Sequence, residues 1–392
     1  MTAIRQFTNL EMADIPDIEE WAVNANDAVT VTLVNGDFAT EFNPKFTYPI
    51  FGDQELIFGY KGLEINIQMD AKSLHTFVSL NYQEKLKGAD VSDPLEILKE
   101  FLAPDTVYED ELKWKKLLEE SSFQVPGELF KEFTSKGDNY AIYKSSIQDA
   151  AAFHLRMRIF VLLFIEAGSY IDDSDERWEL YTLYKITGKD PLFVGFSTVY
   201  PYFWYKNFES HDHLPWWPMR KRISQFVVLP PFQGLGLGAG LYNTLAESFF
   251  DNVIVREITV EDPSEAFDDL RDRCDLQRLA KQGVWTDLKL PLEQEWVKNT
   301  REQYKIAPRQ FDRCLEMALL NNLGGKPDKP YRLFVKKRLF IRNQEALNDL
   351  DDSQRKDKLQ ETFDRLVEDY HRIMDRVDFT HLHKGKKRVM AD

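Results

Sequence analysis

The spacing of hydrophobic residues predicts three regions with different secondary structure. In residues 1–118, Ala28–Leu33 is rich in Val and Thr and leads into Asn35-Gly36, a pair typical of hairpin turns. Glu64–Met69 alternates polar and apolar residues, as a half-buried strand does. Two helices are predicted, at Pro94–Phe101 and Tyr108–Glu119. We therefore predict an N-terminal α+β domain.

In residues 119–270, strands alternate with helices, which is typical of a mixed α/β sheet. Strands are predicted at Asn139–Tyr143, Trp178–Ile186, Leu192–Tyr202, Arg222–Leu229 and Val253–Val260. Helices are predicted at Gln148–Ala167, ended by Gly168, and at Gly238–Phe250. We expect this region to form the central domain.

From residue 271 onward, apolar residues recur at helical spacing. The recurring positions are Phe311, Cys314, Leu315, Ala318 and Leu319, and then Leu359, Phe363, Leu366, Tyr370 and Ile373. Residues 271–392 are therefore predicted to form a C-terminal helical domain with a basic tail at Lys384–Arg388.

Charge and composition narrow the possible functions. The net charge of −15 disfavours a nucleic-acid partner and suits a cationic substrate. Cys274 and Cys314 have no metal-ligand spacing and are predicted to be reduced core thiols. Met1–Leu10 does not resemble a signal peptide, and the apolar run Ile159–Ile165 is too short to span a membrane. We expect no membrane association, and a location in the cytoplasm and nucleus.

The most informative stretch is the glycine-rich turn Gln233–Ala239, which follows the strand Ile223–Leu229 and opens a helix. The buried stripe of that helix is predicted to be Leu237, Leu241, Leu245 and Phe249. Glycines allow close approach of a ligand, while the free N–H groups and the dipole of the first helical turn favour an anion. A pyrophosphate is well suited to such a turn.

Three interpretations of this turn are open. Gly234-x-Gly236-x-x-Ala239 matches a degenerate Rossmann fingerprint, with Glu257 placed for a ribose contact. Gln233-x-x-Gly236-x-Gly238 matches the acetyl-CoA signature of the GNAT superfamily. The turn could also be structural only. Several elements of the same domain precede the turn, and this late position favours the GNAT interpretation.

Four segments resemble the family of type B histone acetyltransferase catalytic subunits: Phe58–Leu63, Phe226–Gly234, Ile258–Ser264 and Val367–Tyr370. The resemblance extends through nearly the whole chain, and Glu261-Asp262-Pro263-Ser264 is more specific than the glycines. It implies a GNAT core that transfers acetyl from acetyl-CoA to lysine side chains on the N-terminal tail of newly made histone H4.

The resemblance also implies a set of cofactor contacts. Main-chain groups of Phe226, Val227 and Val228 would meet the pantetheine arm and the thioester. Gln233, Gly234, Leu235, Gly236, Leu237, Gly238 and Ala239 would hold the pyrophosphate. Ser264 and Phe267 would lie beside the cofactor. No metal site is expected, since His211 and His213 have no third ligand near them.

Acetyl transfer requires a base, because a lysine amine with a pKa near ~10.4 is mostly protonated at neutral pH. The resemblance assigns this role to Glu261, at the end of a predicted strand. Asp262 either assists the base or caps the next helix in the box Asp262-Pro263-Ser264-Glu265. Glu166 follows an apolar helix, where a charge is costly unless it faces a site, so it is a second candidate carboxylate. A backbone N–H near Val228 is the natural donor to the oxyanion.

For the peptide groove, the resemblance points to Asp53, Gln54 and Glu55 and to Tyr200, Pro201 and Tyr202. The alternative for the tyrosines is core packing. The family also works with a WD40-repeat histone chaperone. We predict that the loop 206–219 contacts it through Trp216 or Trp217, with Arg220 and Arg222 alongside. The alternative is that the tryptophans cover the protein's own surface.

Two other functions are consistent with parts of the sequence. A GNAT enzyme for a polyamine or another small amine would not need the N-terminal and C-terminal additions. The other alternative is an inactive histone-binding module, and the presence of both Glu261 and an intact glycine signature argues against it.

Overall fold

The computed structural model describes residues 18–87, 91–188, 190–205, 207, 217–286 and 288–379. The chain forms two compact units. The first comprises Met1–Pro201 and Ile223–Leu241, and the second comprises Tyr202–Arg222 and Tyr242–Asp392. The division into domains 1–118, 119–270 and 271–392 stays a prediction.

The first unit begins with a five-stranded sheet and short helices. The strands are β1 Ala22–Asn24, β2 Val29–Asn35, β3 Phe38–Phe42, β4 Leu56–Phe58, β5 Tyr60–Lys61, β6 Glu64–Asp70, β7 Thr76–Asn81, β8 Glu84–Lys85 and β9 Val107–Tyr108. The helices are α1 Ile18–Trp21, α2 Ala25–Ala28, α3 Tyr48–Phe51, α4 Pro94–Lys99 and α5 Glu111–Glu120. The sheet has the order β3-β2-β6-β7-β9, and β1 pairs with β4 and β5 with β8. The predicted hairpin is confirmed, because Asn35 pairs with Phe38 across Gly36.

A second sheet has its strands in sequence order. They are β10 Glu128–Ser135, β11 Asp138–Ser146, β12 Glu179–Thr187, β13 Asp190–Phe203, β14 Met219–Val228 and β15 Val255–Val260. The pairs from β10 to β13 are antiparallel. β14 begins in the second unit, where the Met219 N–H donates to the Ile254 carbonyl at 2.9 Å, and continues into the first. The six-stranded sheet and its helices confirm the predicted α/β core, although β10 was not predicted.

The long helix predicted at Gln148–Ala167 is wrong. Two shorter helices take its place, α6 Ala151–Met157 and α7 Ile159–Phe164. The chain leaves the helix at Ile165, which is extended, and Ala167 has a φ of 54°. Glu166 therefore lies exposed in a turn rather than inside an apolar helix, and the burial argument for its role does not hold.

The C-terminal region is helical, as predicted. Its helices are α8 Leu237–Asp251, which begins in the first unit, α9 Glu265–Lys281, α10 Gln294–Gln303, α11 Pro308–Asn322, α12 Lys329–Arg342, α13 Gln344–Asn348 and α14 Asp352–Met374. All five predicted core positions of α11 are buried. Cys274 and Cys314 are free and buried, which confirms their interpretation as core thiols. Lys384–Arg388 lies outside the described residues.

The helical core of the second unit also contains a buried ion pair. The Arg338 guanidinium donates to both oxygens of Glu316, and Oε2 also accepts the Tyr370 hydroxyl at 2.7 Å. Both oxygens of this carboxylate are thereby satisfied, which a charge at this depth requires.

No helix in the part of the chain that the structure describes has both the length and the apolar character that a membrane crossing requires.

Candidate active site

The glycine-rich turn has the geometry of an anion site. After β14 and a short 3₁₀ turn, the Gln233 side-chain amide donates to the Val228 carbonyl at 2.8 Å. Gly234 and Gly236 have φ values of +73° and +79°, in the left-handed region where side chains are strained. The chain then enters α8, whose first N–H groups have no partner within the helix. Gln233, Gly234 and Gly236 are exposed, so an anion can reach these donors.

Strand β10 contacts both the glycine turn and the helix that follows it. The Ser135 hydroxyl donates to the Leu235 carbonyl at 2.5 Å. A Cβ added to Gly240, in the first turns of α8, would lie 2.6 Å from the Phe133 ring. The helix therefore packs closely on the strand because residue 240 has no side chain. The sequence analysis missed this support, although the turn residues Lys136-Gly137-Asp138 between two segments rich in aromatics were an available signal.

The predicted buried stripe of α8 is confirmed. Leu237, Leu241, Leu245 and Phe249 are all at most 2% exposed. The stripe follows the helical period and faces the protein interior.

The strand that precedes the turn alternates between two environments. Val227 is buried, whereas Phe226 and Val228 lie on the half-exposed face. A Cβ added to Gly195 of β13 would lie 2.3 Å from the Val227 carbonyl, so the two strands approach closely there. Nearby, the Gln225 N–H donates to the Thr198 hydroxyl at 3.1 Å. The roles of Phe226, Val227 and Val228 toward a cofactor stay predictions.

Glu261 lies directly after β15, in the second unit, and its side chain is 40% exposed. The Arg222 guanidinium donates to its carboxylate at 3.3 Å and to the Tyr202 hydroxyl at 3.2 Å. The guanidinium carbon also lies 4.2 Å from the centre of the Tyr202 ring. Arg222, which the sequence analysis placed beside a partner-binding loop, therefore connects a predicted groove residue with the predicted base.

The helix after Glu261 is capped by Ser264 and not by Asp262. The Ser264 hydroxyl accepts the Phe267 N–H at 3.3 Å, and α9 begins at Glu265. Asp262 lies two residues before the cap, exposed and with a φ of 32°, so its predicted capping role is wrong. The Phe267 ring meets Tyr242 edge-on at 6.0 Å. The cofactor contacts predicted for Ser264 and Phe267 stay predictions.

The acidic residues predicted for the peptide groove have two different environments. Asp53 and Gln54 are exposed in the turn after α3. The Glu55 carboxylate accepts the Thr47 N–H at 2.7 Å, the Tyr48 N–H at 3.1 Å and the Asn26 amide at 2.7 Å. Burial opposes its ionisation, but these hydrogen bonds hold the pKa of Glu55 below its ordinary value. Glu55 therefore stabilises the turn that presents Asp53 and Gln54.

The predicted aromatic residues also divide into two groups. Tyr200 is buried, its hydroxyl donates to Asp175 at 2.7 Å, and its ring lies 4.8 Å from that of Trp178. These contacts support the packing alternative for Tyr200, and Pro201 beside it is half-buried. Tyr202 is exposed and belongs to the second unit.

Glu257, the ribose-binding residue of the Rossmann alternative, lies 2.5 Å from Arg220. Trp217 is 69% exposed, and its ring lies 5.6 Å from that of Phe203. Trp216, His211 and His213 lie outside the described residues.

The fifth strand of the six-stranded sheet, β14, leads through this glycine turn into α8, which is the order that the GNAT interpretation predicts. Residues 21–166 match the family model described as histone acetyl transferase HAT1 N-terminus, and residues 272–324 match the one described as fungal HAT1, C-terminal.

Three curated relatives are named histone acetyltransferase type B catalytic subunit. The relative from Debaryomyces hansenii is 44% identical, over 91% of this chain and 90% of its own. The relative from Yarrowia lipolytica is 41% identical, over 91% and 92%. The relative from Candida albicans is 40% identical, over 91% and 90%. The chain belongs to the family of type B histone acetyltransferase catalytic subunits.

Proposed function

We propose that this protein transfers the acetyl group of acetyl-CoA to lysine side chains on the N-terminal tail of histone H4, in a direct reaction between the two bound substrates. Family membership over nine-tenths of the chain carries the proposal. The exposed glycine turn adds a site suited to the pyrophosphate of the cofactor.

The cofactor would be held by main-chain groups. The N–H groups that follow Gly236 would meet the pyrophosphate, and the half-exposed face of β14 at Phe226 and Val228 would meet the pantetheine arm. Acetyl-CoA supplies the activated acyl group as a thioester. The protein contributes orientation and, near Val228, an N–H for the oxyanion that forms on the thioester carbonyl.

Glu261 would act as the general base. The Glu261 carboxylate takes one proton from the lysine ammonium, and the neutral amine attacks the thioester carbonyl. A carbon–nitrogen bond forms, the carbon–sulfur bond then breaks, and the proton that the amine nitrogen loses after the attack passes to the sulfur, so that CoA leaves as the thiol. The exposure of this carboxylate supports the assignment, because an incoming side chain can reach it. Glu166 and Asp262, both exposed, are the alternative carboxylates.

The acidic charge of the chain, −15, supports a substrate rich in Lys and Arg. Asp53 and Gln54, exposed in their turn, and Tyr202 are the groove residues that remain accessible. Aromatic faces suit the aliphatic stem of a lysine side chain.

The test is transfer of labelled acetyl from acetyl-CoA to a peptide with the sequence of the H4 tail. We expect each transfer to require both substrates at once, so that no acetylated enzyme accumulates without peptide. A matched peptide in which every lysine is replaced by arginine controls for charge. Absence of transfer by a protein that binds acetyl-CoA in calorimetry would refute the proposal. A higher kcat/KM for spermidine than for the peptide would instead identify a small-amine enzyme.

We also propose that the loop 206–219 contacts a WD40-repeat histone chaperone, with Trp217 as one anchor, and that the enzyme acts in the cytoplasm and nucleus. The exposure of Trp217 supports the first part, since tryptophan is enriched among interface hot spots. Its ring contact with Phe203 supports a preformed aromatic surface.

A further inference from the structure

Arg222 contacts two residues that the proposed reaction needs. Nη1 of its guanidinium donates to both the Glu261 carboxylate and the Tyr202 hydroxyl, and the guanidinium stacks on the Tyr202 ring. The Arg222 and Glu261 side chains are 31% and 40% exposed, and exposed pairs of this kind contribute little to stability. We therefore expect the contact to affect the position of the Glu261 carboxylate more than it affects folding.

A glutamate at this degree of exposure has several accessible rotamers, and a base must lie within hydrogen-bond reach of the proton that it takes. The second anchor on Tyr202 matters because it does not depend on the charge of Glu261. The guanidinium can stay on the tyrosine ring while Glu261 is protonated, and the carboxylate can return to the same place afterwards. Arginine suits this task, since its planar fork binds a carboxylate and stacks on an aromatic face at once.

The burial pattern of β14 places Arg222 on the half-exposed face of the strand. Residues alternate along the strand, so Arg222 shares the half-exposed face with Phe226 and Val228. Arg220 lies on the same face and pairs with Glu257 of β15, as Arg222 pairs with Glu261. The strand thus carries two similar ion pairs, and the arginine of the pair with Glu261 also stacks on an aromatic ring, that of Tyr202.

We propose that Arg222 is a positioning residue, which holds Glu261 in its reactive orientation from an anchor on Tyr202. The inference rests on the proposed function of Glu261 as the base. It predicts that loss of Arg222 lowers kcat for the H4-tail peptide and leaves the dissociation constant of acetyl-CoA unchanged.

The experiment compares Arg222→Ala with Arg220→Ala. Both variants remove one positive charge and one pairing with a glutamate, Glu257 in β15 or Glu261 directly after it, so the second controls for net charge and strand stability. We expect kcat to fall roughly tenfold in Arg222→Ala, since small misplacements of a catalytic group are costly, and to change less than about twofold in Arg220→Ala. Arg222→Lys keeps the charge but loses the fork, and Tyr202→Phe keeps the ring, so both should retain an intermediate kcat. Equal losses in Arg222→Ala and Arg220→Ala would overturn the inference.

A double-mutant cycle tests whether Arg222 acts through Glu261. In the Glu261→Gln background, Arg222→Ala should cost almost nothing further in kcat, because the group that it positions has been removed. If Arg222→Ala costs the same in both backgrounds, the positioning role is wrong while the base assignment stands. If Glu261→Gln alone retains normal turnover, the base assignment itself is wrong.

Discussion

The Tyr242 hydroxyl lies 3.0 Å from both carboxylate oxygens of Asp275, and both residues are almost completely buried. The contact joins α8, the helix that begins at the glycine turn, to α9, the helix that follows Glu261. Arg278 donates to the same carboxylate at 2.8 Å, and Arg271 donates to the Ile258 carbonyl of β15 at 3.2 Å. This polar cluster connects three elements of the second unit.

We expect the two partners to differ in their effect on stability. Tyr242→Phe removes one hydrogen bond and leaves Asp275 with its arginines, so unfolding should become easier by about 1 kcal/mol. Asp275→Ala leaves buried guanidinium charge without its carboxylate and should cost about 3–5 kcal/mol. Urea unfolding of both variants provides the measurement. Equal losses would show that the carboxylate does not neutralise the buried arginines.

Gly236→Ala should weaken acetyl-CoA binding. Its φ of +79° strains any side chain, and the added Cβ would lie 3.3 Å from the Ser135 hydroxyl that supports the turn. We expect a roughly tenfold higher dissociation constant by calorimetry, because the N–H donors after the turn shift. Gly137→Ala is the matched control, with a φ of +90° and no neighbour within 4 Å of the added Cβ. An equal loss of affinity in Gly137→Ala would show that the effect does not come from the glycine turn.

Glu261→Gln should lower kcat by about 10²–10⁴ at neutral pH, which is the usual loss when a general base is removed. The dissociation constant of acetyl-CoA should hardly change. The deficit should shrink as pH rises toward the lysine pKa of ~10.4, because more of the substrate amine is then already neutral. Glu257→Gln, on the strand β15 that precedes Glu261, is the control and should retain turnover. Normal activity in Glu261→Gln would direct the same test to Glu166 and Asp262.

His154 should make the protein less stable in mild acid. Burial lowers the pKa of this histidine from 6.5 to about 4, and its side chain is 2% exposed. The unfolded chain therefore binds a proton between these pH values while the folded chain does not. This histidine therefore does not lower the free energy of unfolding above pH 6.5. As pH falls from 6.5 toward 4, that free energy decreases by up to about 3 kcal/mol. Urea midpoints of His154→Gln should fall less over this pH range than those of the unmodified protein, and parallel slopes would contradict the prediction.

Trp217→Ala should weaken binding to a WD40-repeat histone chaperone by roughly 2 kcal/mol, as the loss of a hot-spot tryptophan does. The melting temperature and peptide acetylation should hardly change, because this side chain is 69% exposed. Leu112→Ala, at a residue 80% exposed in the first unit, is a surface control. A large fall in melting temperature with unchanged chaperone affinity would support the alternative that the loop covers the protein's own surface.

Local patterns were sufficient to predict much of the fold. The leucine stripe of α8 follows from helical period, and the β2–β3 hairpin follows from its turn residues. The glycine turn was also predictable, because Gly234 and Gly236 are needed for backbone conformations that other residues adopt only with strain.

The two incorrect secondary-structure predictions, the missing strand β10 and the long helix Gln148–Ala167, lie where packing overrides local preference. Strand β10 has almost no buried residues and carries charges along its length, so it lacks the apolar alternation of a half-buried strand. This segment is a strand because it pairs with β11. The helix break after Met157 follows from no proline or glycine within the segment, and Glu166 is exposed because the chain leaves the second helix at Ile165.

By itself, the sequence determined the glycine turn and the acidic residues at a strand end, because these are local features that each need only a few consecutive residues. Only the tertiary structure decided which distant side chains meet. Arg222 and Glu261 are 39 residues apart, and their contact depends on neighbouring strands and on the direction of each side chain. Strand pairing and register are set by packing of the whole sheet, so a local pattern could mark Glu261 but could not reveal the arginine and tyrosine that hold it.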